Sequence, residues 1–153
     1  MIKSLLTFAL LAMSFCSVAG PWNVAGNFAK TLDTTGYNSE ALLFINKKGD
    51  VSIGFTFYDP DCDGYEAKLK RLPVHLFNGE PIHFKSQCIA EDKIAYIPTY
   101  ANEGWSIMRQ FRQGEEMVFS ALAKRYVYKY NAVGFGEAYD DIFEKSLKYK
   151  EDI

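Results

Sequence analysis

Histidine is scarce in this chain of 153 residues: two are present, at positions 75 and 83. A nucleophilic enzyme therefore has few bases to draw on, and its usual frames are missing too, since there is no G-x-S-x-G elbow and no H-E-x-x-H pair. Cysteine is little used, with three in all and no C-x-x-C spacing of the kind a redox site wants. Charge of one sign is also lacking. The 17 Lys and Arg stand against 19 Asp and Glu, a formal net charge of -2, and no basic patch with interleaved aromatics runs along the chain. That balance argues against a nucleic-acid partner. Paired carboxylates of the sort that cleave glycosides occur in any acidic chain and identify nothing here. These absences predict a protein that is not an enzyme, with no catalytic residues to name.

A membrane-spanning hydrophobic run is missing from the N-terminus. The apolar stretch at 5–15 is about 11 residues, roughly half of what a membrane span takes. It follows Met1, Ile2, Lys3 and Ser4, with a single cation, and leads to small residues at Ser17 and Ala19. Residues 1–19 therefore read as a cleavable signal peptide cut after Ala19, because cutting after Gly20 would leave Pro21 at the new terminus. Lipidation at Cys16 is disfavoured by the bulky Phe15 before it. Loss of the leader takes Lys3 with it and deepens the small acidic excess. The mature chain, 20–153, is expected to be one β-rich domain in the periplasm or outside the cell, with no stable membrane anchor. No linker or repeat divides it, and its length suffices for a single core.

Two cysteines remain in that mature chain, Cys62 and Cys88. In an oxidising compartment an even pair most simply forms one disulfide, worth about 3 kcal/mol by the chain-entropy model.

Aromatics make up 16% of the residues, and strand-like runs alternate with Gly, Asn and Asp turn signals. Residues 40–46 and 51–58 read as a hairpin turning at 47–50. In its second arm Val51, Ile53, Phe55 and Phe57 alternate with polar or small residues, which puts one face on a core. A shorter hairpin is expected over 74–84, turning at Asn78, Gly79 and Glu80, with Pro81 marking an edge strand. Residues 105–113 suit a short helix stopped by Gly114. From Glu116 to Tyr130 the chain reads as one long strand. Phe135, Ala138, Tyr139, Ile142, Phe143 and Leu147 recur at helical spacing and predict a C-terminal amphipathic helix packed on the sheet by that stripe. The fold class is thus α+β: a mostly antiparallel, β-sandwich-like domain with a short helix and a C-terminal helix.

Three groups of residues carry candidate chemistry. Asp59, Asp61 and Asp63 followed by Gly64 match the opening of a calcium loop, D-x-D-x-D-G, with Glu66 as a further ligand. The second half of the motif fails, because Lys70 stands where a bidentate Glu is needed, so the string reads first as an acidic turn between strands. His75 and His83 face each other across the 74–84 hairpin if its loop has three residues, and two such imidazoles would hold part of a transition-metal site, but with no third ligand fixed by spacing they read first as exposed strand histidines. The third group is aromatic: Tyr96, Tyr100, Trp105, Tyr126, Tyr128 and Tyr130 concentrate in one part of the sequence. Tyrosines that alternate along a strand share a face; they read first as half-buried sheet residues, with a recognition face for a protein as the sharper alternative.

The strand ending at Cys88, the string 105–114 closed by Gly114, the long strand after it, and Gly134, Phe135, Gly136, Glu137, Ala138 and Tyr139 opening a terminal helix together resemble the invasion-associated locus B type of exported bacterial protein. That resemblance covers about half of the mature chain. It implies a β-sandwich-like periplasmic or secreted protein linked to interaction with host cells, without an enzymatic role. The expected function is a non-enzymatic binding module whose partner is another protein of the envelope or the exterior. Its rivals are a calcium-stabilised extracellular domain, an inhibitor that plugs an envelope or host enzyme with a protruding loop, and a small carboxylate hydrolase.

Overall fold

The computed structural model describes residues 22–114, 116–120 and 126–152; the expected leader at 1–19, with Cys16 and the cleavage point, lies outside them. The described residues form an α+β domain of two antiparallel sheets and two helices around one core. The first sheet joins six strands: β1 (Asn23–Ala25), β2 (Phe28–Leu32), β3 (Glu40–Ile45), β4 (Val51–Asp63), β8 (Phe84–Pro98) and β5 (Lys70–Arg71), in that spatial order. The second runs β10 (Val127–Tyr130), β9 (Met117–Ser120), β6 (His75–Phe77) and β7 (Glu80–Ile82). Helix α1 is Ala101–Arg112 and α2 is Phe135–Glu151.

The alternation in β4 sets the architecture. Phe55 and Phe57 point from the inner face of the six-stranded sheet into the second sheet: Phe55 lies against Phe77, Phe119 and Tyr130, and Phe57 against Phe119 and Tyr128, with ring centres 4.8–5.6 Å apart. Beside them Ala41 and Leu43 of β3 are buried, and α2 covers β1, β2 and β3. Trp22, just ahead of β1, meets Phe111 of α1 and Phe135 of α2 edge to face and donates its indole N–H to the Asn131 carbonyl. Aromatic pairs of this kind add to the area they bury, which suits a domain with so much Phe and Tyr.

The β3–β4 hairpin has the expected register, pairing Ala41 with Phe55 and Leu43 with Ile53. The β6–β7 hairpin is tighter than the sequence suggests. Asn78 and Gly79, at φ 50° and 79°, make a two-residue turn, so Phe77 pairs with Glu80 and His75 with Ile82. Pro81 does sit on an edge strand.

Four boundaries differ from the sequence expectation. The acidic string at 59–63 is no turn: β4 runs through it to Asp63, with a register shift against β8 between Tyr58 and Asp63 that accommodates Pro60. The long strand expected over 116–130 is represented by two strands, with 121–125 outside the described residues. Met117–Ser120 pairs antiparallel with Val127–Tyr130. Helix α1 begins four residues before Trp105, its first turn disguised by Asn102 and Gly104, both turn formers; Gly104 is buried, its Cα facing Pro98. Finally, α2 buries Phe135, Ala138, Ile142 and Ser146, whereas Phe143 and Leu147 of the expected stripe are 44% and 46% exposed. Helical spacing is satisfied by both faces, and only the neighbouring elements choose between them.

Candidate binding surface

Cys62 in β4 and Cys88 in β8 are joined by a disulfide that closes a 26-residue separation, with Cα atoms 5.5 Å apart. It ties β4 to β8 within the stretch of β4 where their register shifts, between Tyr58 and Asp63.

The acidic string lies on that same ribbon. Asp59 accepts the backbone N–H of Asp61, and Asp61, Asp63 and Glu66 are exposed. No group of three or more His, Cys, Asp or Glu side chains that could hold a metal ion occurs among the described residues. An extended strand spreads carboxylates along its length, whereas a calcium loop curls them round a point.

The histidines are separated by the two-residue turn. His75 is buried, its ring stacked on Phe119 and edge-on to Tyr96, with Nδ1 donating to the Pro73 carbonyl at 2.6 Å. His83 is exposed and held from α1: Glu103 accepts both its backbone N–H and its Nδ1, at 2.9 and 2.8 Å. A carboxylate orienting an imidazole is two-thirds of a nucleophilic triad. The hydroxyl nearest on that helix, Ser106, instead donates to Glu80, so the pair reads as a clamp between α1 and the start of β8.

The six aromatic residues do not make one face. Tyr130 is 0% exposed and belongs to the core, its hydroxyl against Ser39. Tyr100 stands edge-on to His83. Trp105 lies between the helices, against Tyr139, over which Arg112 also sits at 4.9 Å. The remaining three gather at one end of the sandwich. Tyr126 and Tyr128 both meet the ring of Tyr37, at 5.4 and 5.7 Å, and behind them Phe57 touches Tyr128 and Tyr96, each at 4.8 Å. The outer pair, Tyr37 and Tyr126, is 50% exposed in each case, while Tyr96 and Tyr128 are half-buried.

Sequence reasoning missed Tyr37. Its position depends on Asp33, whose carboxylate accepts the backbone N–H groups of Thr35, Tyr37 and Ser39 and the Thr35 hydroxyl, folding 34–39 into a compact loop. The available signal was the Asp33-Thr34-Thr35-Gly36 string, a side-chain-capped turn. Beside Tyr37 opens a cleft of about 470 Å³, walled by Leu32, Phe57 and Tyr58 and edged by Glu40, Glu91 and Asp92 and by one cation, Lys93. Burial, and secondly the negative charge of Asp59, raises the Tyr96 phenol above its ordinary pKa. Burial, then Asp33 and the neighbouring tyrosines, does the same to Tyr128. Both therefore stay neutral hydroxyls that can donate and accept hydrogen bonds. What results is a rim of tyrosine rings, fixed from behind and bordered by carboxylates. No helix among the described residues is long and apolar enough to cross a membrane. No family model matches this chain, and no curated protein or solved structure matches it either.

Proposed function

We propose that the protein is an exported, non-enzymatic binding module that presents Tyr37 and Tyr126 to a protein partner in the periplasm or outside the cell. The observation that carries this reading is the pairing of those two half-exposed rings, Tyr126 against Tyr37 and Tyr37 in turn against Tyr128, which rests on Phe57. Rings already ordered in the free protein lose little conformational entropy on docking, and each pairs a large apolar body with a polar tip. Glu40, Glu91 and Asp92 outnumber Lys93 round the cleft and Asp59 acts on Tyr96, so the matching surface carries Lys or Arg, whose cations also suit tyrosine faces.

Export rests on three supports: the leader pattern over residues 1–19, the disulfide, which persists in oxidising compartments, and the resemblance of 105–139 to the invasion-associated locus B type of protein. Fold-level likeness alone would not assign a function, and the aromatic rim carries the binding role.

The test is a cross-linking pull-down with the disulfide-intact protein against envelope and culture-supernatant fractions, beside a Tyr37→Ser/Tyr126→Ser variant of unchanged melting temperature. One stoichiometric protein recovered by the parent and lost by the variant is the expected result. Identical recovery by both proteins would remove the rim from consideration.

A further inference from the structure

The outer face of the six-stranded sheet, away from the core, holds a second feature. Residues paired directly across antiparallel strands share a face. Leu32, Glu40, Thr56 and Ala95 form one such row across β2, β3, β4 and β8, and Lys30 beside Leu42 and Phe28 beside Phe44 form the next two. A groove of about 410 Å³ lies over these rows, with Phe28, Leu42, Phe44 and Ile89 as its apolar wall. Ile89 is informative. Near Asp92, at φ 57°, β8 folds back on itself, so that the Thr99 N–H just after it donates to the His83 carbonyl just before it at 2.8 Å, and the part that precedes the fold brings Ile89 to the groove with Lys93. The Cys62–Cys88 bridge fixes β8 to β4 one residue before Ile89.

The other wall is polar. Lys30 Nζ lies 3.2 Å from one oxygen of Glu40 and Lys93 Nζ 3.4 Å from the other, so two ammonium groups share one carboxylate and leave a net positive charge with N–H donors to spare. The lining also holds Thr56, paired across the strands with Glu40 and 1% exposed, whose hydroxyl has no hydrogen-bond partner among the described residues. A buried hydroxyl left unpaired is costly and uncommon, and here it belongs to a groove that is positive at one end and apolar at the other.

We propose that this groove binds a small amphipathic carboxylate, in its simplest form a medium-chain fatty acid. The carboxylate sits among Lys30, Lys93 and the Thr56 hydroxyl, and the chain lies along Phe28, Leu42, Phe44 and Ile89. The volume falls within the roughly 300–1,000 Å³ that small-molecule sites occupy. Glu40 disfavours a more highly charged anion such as phosphate, and the excess ammonium charge disfavours a cation. The groove adjoins the cleft beside Tyr37 and shares Glu40 and Lys93 with it, but no tyrosine of the rim lines it, so the two functions are tested by different substitutions.

The experiment is calorimetric titration of the disulfide-intact protein with decanoate, decanol and decyltrimethylammonium. Decanoate should bind, with the other two at least about tenfold weaker, the worth of one charge-assisted contact set. Thr56→Val should weaken decanoate several-fold while leaving the unliganded melting temperature equal or higher, since the change removes only an unpaired hydroxyl. Lys93→Met should weaken decanoate and not decanol, and Tyr37→Ser/Tyr126→Ser should leave its affinity unchanged. No decanoate binding at millimolar concentration, equal binding of decyltrimethylammonium, or indifference to both Thr56→Val and Lys93→Met would overturn the proposal.

Discussion

The hydroxyls of Ser39 and Tyr130 meet at 2.5 Å where neither residue is exposed, tying the loop before β3 to the last strand of the second sheet. Removing one partner strands the other. Tyr130→Phe or Ser39→Ala should each cost about 1–3 kcal/mol in chemical denaturation, and the double variant should cost less than the sum of the two.

Tyr130 also predicts an alkaline limit. Burial first, and Asp33 and Tyr128 after it, hold its pKa well above the ordinary value of 10.0, although the Ser39 hydrogen bond pulls the other way. A phenol whose folded pKa exceeds its unfolded one contributes stability that is whole below the unfolded value and is lost as pH climbs through the folded one. Melting temperature should therefore fall above about pH 10, and Tyr130→Phe should fall less steeply over the same range. Parallel slopes for the two proteins would remove Tyr130 as the cause.

Asp33 positions the rim without touching a partner. Asp33→Ala unpairs the amides of Thr35, Tyr37 and Ser39, should cost about 3 kcal/mol, and should weaken partner capture as much as loss of Tyr37 does. Asp33→Asn keeps one acceptor oxygen and should recover part of both.

The disulfide joins β4 to β8 across a separation of 26 residues, next to Ile89. A Cys62→Ala/Cys88→Ala variant should lose about 3 kcal/mol and should bind decanoate less tightly, because Ile89 is no longer held over the groove. A melting curve and the same titration check the two effects separately.

Calcium should make no difference. With Asp59, Asp61 and Asp63 strung along β4 and Glu66 beyond it, millimolar calcium and a chelator should give superimposable melting curves. A rise of several degrees with calcium would restore the loop reading.

Much of the fold is legible in the residues because local pattern and burial agree there. The alternation of Val51, Ile53, Phe55 and Phe57 could satisfy only a half-buried strand, and Asn78-Gly79 could satisfy only a tight turn. The disulfide followed from the number of cysteines left once the leader is set aside. Where the reading slipped, two local solutions were equally good: either face of α2 obeys helical spacing, and a one-residue change of loop length moves His83 away from His75.

The binding rim was half legible. Tyr126 and Tyr128 stand out by their alternation, but Tyr130 on the same strand turned out to be core, and Tyr37 comes from a distant loop that nothing in the spacing connects to them. By itself the sequence determined the class of fold, the hairpins, the cross-link and the lack of catalytic motifs, because each depends on residues close in the chain or on composition alone. Which tyrosines face solvent, which lysines share Glu40 and where Ile89 lands were decided only by tertiary structure, because each depends on how strands far apart in sequence are stacked, bent and paired.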